Sequence, residues 1–372
     1  MKRTLFARLL LLCVLCAMVL GSFIDVGQAS VTASGNEYDH IAALSLDVKH
    51  TLRFNNDGKF KIVIFSDVQD AYPLKADTVQ YMNQILDSEQ PDLVLLGGDN
   101  HSGSLGSESI LRTYLTALSE PMETRKIPWA QVYGNHVEGG YNFKMGAPGK
   151  EKQQEIFESF SYNISKAGDV YGVGNYVLPV LRSDSDKVGF NVFALDSHTY
   201  MIDGNGGQSF EDAVLLDRPI YGGLKKHVYE TIHFDQIRWY WKTSVALEKY
   251  SGQKVAAMMF FHIPLYEYEY IAQNPNQTGM IGANMDGISA PELNSGLIQA
   301  CYERGDVKGI FVGHCHRNDF VGTYIGIQLG FVPTIGSNAY FDASNRGARV
   351  IEIDQNDAFN FTTRMVYCKD LR

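Results

Sequence analysis

The stretch Asp92-Leu93-Val94-Leu95-Leu96-Gly97-Gly98-Asp99-Asn100 constrains this chain more than any other. Four aliphatic residues in a row, introduced by Pro91 and Asp92, run into two glycines and then a carboxylate. A short, unbroken apolar run of this kind predicts a strand buried on both faces, as in parallel or mixed sheets. The glycines remove side chains where the strand leaves the sheet, so the backbone can turn and another group can come close. Asp99 then stands at the carboxyl edge of the strand, where open α/β sheets hold their ligands. A single carboxylate there could cap a helix and do nothing else. That reading gives way because four other strand-like runs also end in residues that bind metals.

Residues 60–65 lead to Asp67 and Gln69, and residues 127–133 to Asn135 and His136. Residues 255–261 lead to His262, and residues 307–312 to His314 and His316. In extended backbone, positions i and i+2 share a side. Asp67 therefore goes with Gln69 and His314 with His316, while Cys315 faces away and packs. A donor set of carboxylate, carboxamide and imidazole suits zinc, iron or manganese better than magnesium or calcium, which prefer oxygen. Two ions that share one carboxylate need about this many ligands, and Asp99, in the middle of the set, is the natural bridge. Such a pair, about 3.5–4 Å apart, can clamp a phosphate and lower the pKa of a bridging water.

The remaining runs predict the frame that brings these ends together. Asn55-Asn56-Asp57-Gly58 between two apolar runs reads as a hairpin over 52–65. Helical spacing covers 75–88, 107–120, 150–160, 234–250 and 292–303. Residues 75–88 lie between two strand-like runs, which makes a βαβ unit with carboxylates at both strand ends. Residues 173–181 and 188–195 read as paired strands, the second closing on Asp196-Ser197-His198. Residues 139–168 read as an excursion over the site, 200–232 as a long loop, functional or disordered, and 350–353 with 359–367 as edge strands. Tyr266, Tyr268 and Tyr270 alternate with glutamates, a period of two that reads as strand packing. His101, His198, His227 and His233 read as satisfied, solvent-facing or capping histidines.

At the N-terminus, Lys2, Arg3 and Arg8 precede the apolar residues 9–21, and small residues follow up to Ala29. Residues 1–29 read as a secretory signal peptide rather than an uncleaved anchor, since the run is short for a bilayer span. Residues 30–50 are then a polar leader and 51–372 one catalytic domain, with no linker or internal repeat. The expected location is secreted, periplasmic or extracellular, with no stable membrane span after cleavage. Removing three basic residues and Asp25 leaves 29 Lys+Arg against 41 Asp+Glu, a net charge of −12. So acidic a chain carries no footprint for a nucleic-acid polymer. Of its cysteines, Cys301, Cys315 and Cys368 remain, allowing one disulfide whose partners sequence cannot choose. Asn163, Asn276 and Asn360 begin glycosylation sequons.

The ordered motifs at Asp67, Gly98-Asp99, Gly134-Asn135-His136, His262 and Gly313-His314-Cys315-His316 resemble those of the calcineurin-like metallophosphoesterases. Gly172-Val173-Gly174-Asn175-Tyr176, Leu195-Asp196-Ser197, His262-Ile263-Pro264, Asn318-Asp319-Phe320 and Arg346-Gly347-Ala348-Arg349 resemble the branch with plant purple acid phosphatase-like proteins and related fungal phosphoesterases. The resemblance spans residues 50–355. It implies an α/β fold, a four-layer α-β-β-α sandwich, and a metal-dependent hydrolase acting on small phosphorylated substrates. Phosphate monoesters are expected to be cleaved by a hydroxide bridging two divalent or trivalent ions, iron, zinc or manganese. The alternatives are a phosphodiesterase on nucleotides or lipid head groups, and a metal-binding protein without turnover.

By the same resemblance Asp67 and His316 hold one ion, with Gln69 where the family usually has histidine. Asn135, His262 and His314 hold the other, and Asp99 bridges. His136 is left unligated to contact the phosphate, together with Asn135, and to protonate the leaving alcohol. Ser102 stands where many members have an aspartate that orients this histidine. It is also not the tyrosine that colours true purple acid phosphatases, so a colourless enzyme is expected.

Overall fold

The computed structural model describes residues 50–137, 148–201, 215–219 and 225–371. All belong to the compact unit Ile41–Arg372. The expected signal peptide, nearly all of the leader, and parts of 139–168 and 200–232 lie outside the described residues.

Strand β2 (Lys59–Phe65) shows how the layers arise. Ile62 and Ile64 enter one core, while Val63 and Phe65, on the opposite face, enter another. A strand wanted on both sides needs a continuous apolar sequence, which Ile62-Val63-Ile64-Phe65 supplies. Beside it lie β3 (Leu93–Leu96) and β4 (Trp129–Gln131), both parallel. On its other side, β13 (Gly347–Asp354) pairs antiparallel and β14 (Thr362–Tyr367) closes the edge of a five-stranded sheet.

A seven-stranded sheet faces it. Its order is β1 (Leu52–Arg53), β5 (Tyr176–Leu181), β6 (Val188–Ala194), β9 (Ala256–Phe260), β10 (Val307–Val312), β12 (Ile327–Phe331) and β11 (Val321–Tyr324). Phe60, Ile62, Leu93 and Ile351 from the first sheet share one buried cluster with Leu178, Phe190, Met258 and Phe260 from the second. That cluster is the middle of the sandwich.

Helices cover the two outer faces. Helices α1 (Ala76–Glu89), α2 (Glu108–Arg125) and α3 (Lys150–Ser159) pack on the five-stranded sheet through Ile85, Leu115, Leu118 and Phe157. Helices α4 (Phe234–Ser251), α5 (Glu267–Gln273) and α7 (Leu297–Arg304) cover the other sheet through Tyr240, Tyr268 and Leu297, while α6 is the short turn Pro275–Thr278. The expected four layers are therefore present. No helix among the described residues is long and apolar enough to cross a membrane.

Buried Arg349 ties the sheets together from β13. Its Nε donates to the Phe331 carbonyl at 2.8 Å and its Nη2 to the Asp319 carbonyl at 2.6 Å. Burial pulls this guanidinium down to about 10, against the opposing pull of Asp319.

Several expectations need correction. The Asp57-Gly58 turn forms, but β1 and β2 do not pair with each other. β1 joins β5 in one sheet and β2 joins β3 and β13 in the other, so the hairpin is a crossing between layers. β13 is an interior strand of its sheet, because the final strand β14 takes the edge. Tyr268 and Tyr270 lie on helix α5, where Tyr268 is fully buried and donates to the Ile310 carbonyl. The stretch 200–232 is not all loop, since β7 (Leu215–Pro219) pairs with β8 (Lys225–His227). Cys301, Cys315 and Cys368 are buried and unpaired. Asn163 is buried and donates to Gln131, which leaves no room for a glycan.

Phe190 is fully buried in the shared core, edge-on to Phe361 at 5.6 Å. Phe190→Ala is expected to cost about 3–5 kcal/mol through lost burial and the cavity left behind. Urea unfolding should show a lower midpoint with an unchanged slope.

Candidate metal centre

Strands β2, β3 and β4 run parallel in one sheet, and β6, β9 and β10 in the other. Their carboxyl ends meet at one seam. The Gly313 N–H donates to the His262 carbonyl, and the His314 N–H reaches both Asp67 oxygens at 3.0 and 3.2 Å. An isolated bridge between Ser66 and Thr334 and a bond from Ile335 N–H to the Ser66 carbonyl fasten the seam. All seven expected ligands and His136 lie there.

The backbone at this seam is unusual. Asp67, Gln69, Asp99 and His314 have φ of 49°, 39°, 46° and 73°, all in the left-handed region. Such conformations cost of order 1–3 kcal/mol each and persist only where the surroundings impose them. Two glycines of the motifs are explained by close approach. A Cβ on Gly134 would lie 2.2 Å from Asp99 Oδ1, and one on Gly98 would lie 2.6 Å from His262 Nδ1. Each glycine clears space for a ligand on another strand.

The donors fall into two overlapping groups. One ligand atom from each of Asp99, His262 and His314 lies within 4.8 Å of the others. Beside them, Asn135 Oδ1 is buried with no hydrogen-bond partner. His316 Nε2 stands 3.3 Å from Asp67 Oδ1. His262 Nε2 lies 3.2 Å from Asp99 Oδ2 and 3.7 Å from Asp67 Oδ1, yet makes no aligned hydrogen bond. Asp67 and Asp99, both buried, are thus linked through His262, which lies near both. Gln69 presents its amide nitrogen to Asp99 Oδ2 at 3.4 Å, so the donor end of this amide faces the shared carboxylate.

Backbone carbonyls set the imidazole tautomers. His262 Nδ1 is 2.9 Å from the Gly97 carbonyl and His316 Nδ1 is 2.8 Å from the Tyr340 carbonyl. A carbonyl only accepts, so both Nδ1 atoms carry a proton, and in the neutral ring it is the Nε2 lone pair that faces the two acids. Such outer-shell bonds fix metal-binding histidines. Two buried acceptors without partners, inward lone pairs and two carboxylates fit a cation better than any hydrogen-bonded network of their own.

The same two acids also draw protons onto the imidazoles, which a cation at Nε2 would displace. Burial disfavours charge on His262, but Asp99 and Asp67 outweigh it and push the imidazole up to about 9. Burial likewise opposes the carboxylates, yet the neighbouring imidazoles hold Asp67 and Asp99 below the usual carboxylate range. His316 is raised by Asp67 against its burial. His314 is pushed down to about 3 by burial, with His262 adding to the effect. The centre gathers negative charge and answers it with positive charge. His136, half-buried and lowered by that desolvation, holds its Nε2 4.0 Å from Asp99 Oδ2, and its backbone N–H donates to Asp99 Oδ1 at 2.9 Å.

The groups open onto a cleft of ≈ 490 Å³, the size of a small-molecule site. Its walls include Ser102, Ser104, Tyr229, Ser289, Asn338 and Tyr340, of which sequence reasoning noted only Ser102. Tyr340 stacks on His316 at 4.2 Å and Tyr229 meets His314 edge-on at 4.8 Å. No periodicity marks these positions, and only contact across the fold reveals them. The other histidines are structural. His101 bonds Gln153 and the Gly103 N–H, His198 bonds Gln236, and His233 caps helix α4. The His227 side chain lies outside the described residues.

Comparison with known proteins gives a consistent picture. Residues 60–318 match the family model described as calcineurin-like phosphoesterase. A protein of Arabidopsis thaliana named "Probable inactive purple acid phosphatase 14" is 26% identical, over 84% of this chain and 79% of its own. "Phosphatase DCR2" of Saccharomyces cerevisiae is 29% identical, over 72% of this chain and 46% of its own. A crystal structure of a dimetal phosphatase from Danio rerio superposes with a TM-score of 0.49 at 12% identity, covering 78% of this chain and 92% of that one.

The expected ligand and non-ligand roles separate by metal analysis. Asp99→Asn is expected to lose bound metal, because a neutral amide balances cations poorly. His136→Ala is expected to keep its metal, since the ligands do not include it. The reverse outcome would show that the ligand and non-ligand assignments are exchanged.

Proposed function

The chain belongs to the calcineurin-like phosphoesterase family, and from that membership and this donor set we propose an exported, two-metal hydrolase of phosphate monoesters. The observation that carries the reading is the pair of buried acceptors, Asn135 Oδ1 and His262 Nε2, left without partners beside Asp99. Asp67, Gln69 and His316 would hold one ion and Asn135, His262 and His314 the other, with Asp99 shared. Bound ions supply charge neutralisation at the phosphoryl oxygens and a lowered pKa for the attacking water. Zinc, manganese and iron suit the mixed donors.

The protein's own part is placement. Asp99 accepts from the His136 backbone, so the shared carboxylate and the proposed proton donor move as one piece. His136 forms part of the cleft wall, where a leaving alcohol would emerge. Positioned acids of this kind contribute about 10²–10⁴-fold. Asn135, next to it in sequence and also in the wall, would help to seat the phosphate.

Gln69 favours a second reading. Its amide nitrogen, not its oxygen, faces Asp99, so one ion has only Asp67, His316 and the bridge as firm ligands. A centre short of one donor could bind metal without turnover, and relatives with the printed name "inactive" share this family. A phosphodiesterase is the alternative within the active reading, since one clamp serves both ester types.

A metal-reconstituted screen over monoesters, diesters and nucleotides tests these readings together. Monoester turnover should dominate in the wild type and fall about 10²-fold or more in His136→Ala. Gln69→His should bind the first metal more firmly by restoring an imidazole. If only the Gln69→His protein turns over, the reading without turnover is correct for the native chain. Preferred cleavage of diesters would instead reassign the substrate class.

Export draws support from the basic start and the apolar run before Ala29. Secreted protein should begin at Ser30 on N-terminal sequencing. Membrane-bound protein that still starts at Met1 would contradict it.

A further inference from the structure

Asn135 brings a problem that the other ligands do not have. A carboxamide has an acceptor end and a donor end, and only the oxygen can bind a cation. Rotating the side chain by half a turn would aim the NH₂ group at the ions instead. Something must therefore choose the orientation. Tyr200 meets the productive orientation as an acceptor, the partner the amide's donor end needs once the oxygen faces a cation. Asn135 Nδ2 donates to Tyr200 Oη at 3.0 Å, and this bond leaves Oδ1 as the buried, unpartnered end.

Tyr200 is itself well placed for the task. It is buried, and it sits in a segment fastened on both sides. The Met201 N–H donates to the Val228 carbonyl and the Glu230 N–H to the Thr199 carbonyl, so residues 199–201 lie paired against 228–230. Thr199 Oγ1 reaches the Asn135 carbonyl at 3.4 Å. The Tyr200 ring stacks on Tyr229 at 5.2 Å, and Tyr229 in turn meets the His314 ring. One tyrosine pair thus braces two members of the same donor group, Asn135 by a hydrogen bond and His314 by packing.

We propose that Tyr200 is a positioning residue for the metal centre, which holds Asn135 in the rotamer that presents Oδ1 to the second ion by accepting from its donor end. The proposal rests on the two-metal reading above. It gives a function to a residue from a stretch without periodicity, outside every motif of the chain. Tyr200→Phe keeps the ring and its stacking on Tyr229 and removes only the hydroxyl. Freed of its partner, the amide would divide its time between two orientations, one of them unable to bind.

The test is a comparison in two backgrounds. Metal-free protein is titrated with Mn²⁺ by calorimetry, for the wild type and Tyr200→Phe, and again for each of these combined with Asn135→Asp. A carboxylate presents an oxygen whichever way it turns, so its orientation no longer matters. Tyr200→Phe should weaken one class of site about 10–100-fold, as loss of outer-shell partners does. In the Asn135→Asp background the same change should leave affinity almost untouched. Equal losses in both backgrounds would overturn the proposal, because Tyr200 would then only support the fold. No loss in the first background would overturn it as well. Wild-type protein that takes up no Mn²⁺ would overturn the metal reading itself, and this role with it. Matching thermal melts of the metal-free proteins establish that all variants are folded.

Discussion

Two buried carboxylates, Asp67 and Asp99, dominate the seam between the sheets. Removing such charges from water costs several kcal/mol apiece unless opposite charge and hydrogen bonds replace the solvent. The chain supplies both from every side. Ser66 Oγ donates to Asp67 at 2.6 Å, backbone N–H groups of His314 and His136 reach the two acids, and three imidazoles stand within 4.0 Å of them. The local backbone follows from this demand. Left-handed residues at Asp67, Gln69, Asp99 and His314 turn three chain segments inward within a few residues of their strands. A relaxed backbone would carry these side chains past the seam.

Support for the seam extends outward through a further carboxylate. Buried Asp70 accepts from the backbone of Ser337 and Asn338 on one side and from Thr78 Oγ1 at 2.7 Å on the other. Asp77, one helical step away, accepts from Ser337 Oγ and Arg346. The loop that carries Tyr340 is thereby fixed to the start of helix α1. Since the Tyr340 carbonyl holds the His316 Nδ1 proton, these hydrogen bonds and the short backbone from 338 to 340 connect a helix terminus to the His316 ring.

The ligand-bearing ends were legible because two physical signals coincide there. Strands buried on both faces must be apolar throughout, so 93–96 and 256–260 stand out, and a polar residue at their exit is conspicuous. The single strands and helices were readable from apolar runs and helical spacing, whereas the two facing sheets followed only from the family resemblance. What sequence could not assign was partnership. The Asp57-Gly58 turn has the chemistry of a hairpin, and it forms, yet Leu52 and Phe60 belong to different sheets, because a turn fixes direction and not neighbours. Tyr266, Tyr268 and Tyr270 alternate like a strand, but the burial of Tyr268 beneath Phe331 is satisfied by a helix. Tyr200, Tyr229 and Tyr340 matter only through contacts with residues over 20 positions away, for which one sequence has no marker.

The donor groups draw on both sheets, with Asp67, Gln69, Asp99 and Asn135 following strands of one and His262, His314 and His316 following strands of the other. This division has a consequence for biosynthesis. When Asp67 leaves the ribosome, nearly 250 residues must still follow before His316 is available. Until then the emerging chain holds buried-type acids without most of their counter-charges, and no shorter portion of it contains a full set of donors. Metal uptake therefore marks the end of assembly and cannot organise its beginning. Early stages of folding must rely on the apolar faces of β2 and β3 and on helices α1 and α2, all complete before Asn135 is made.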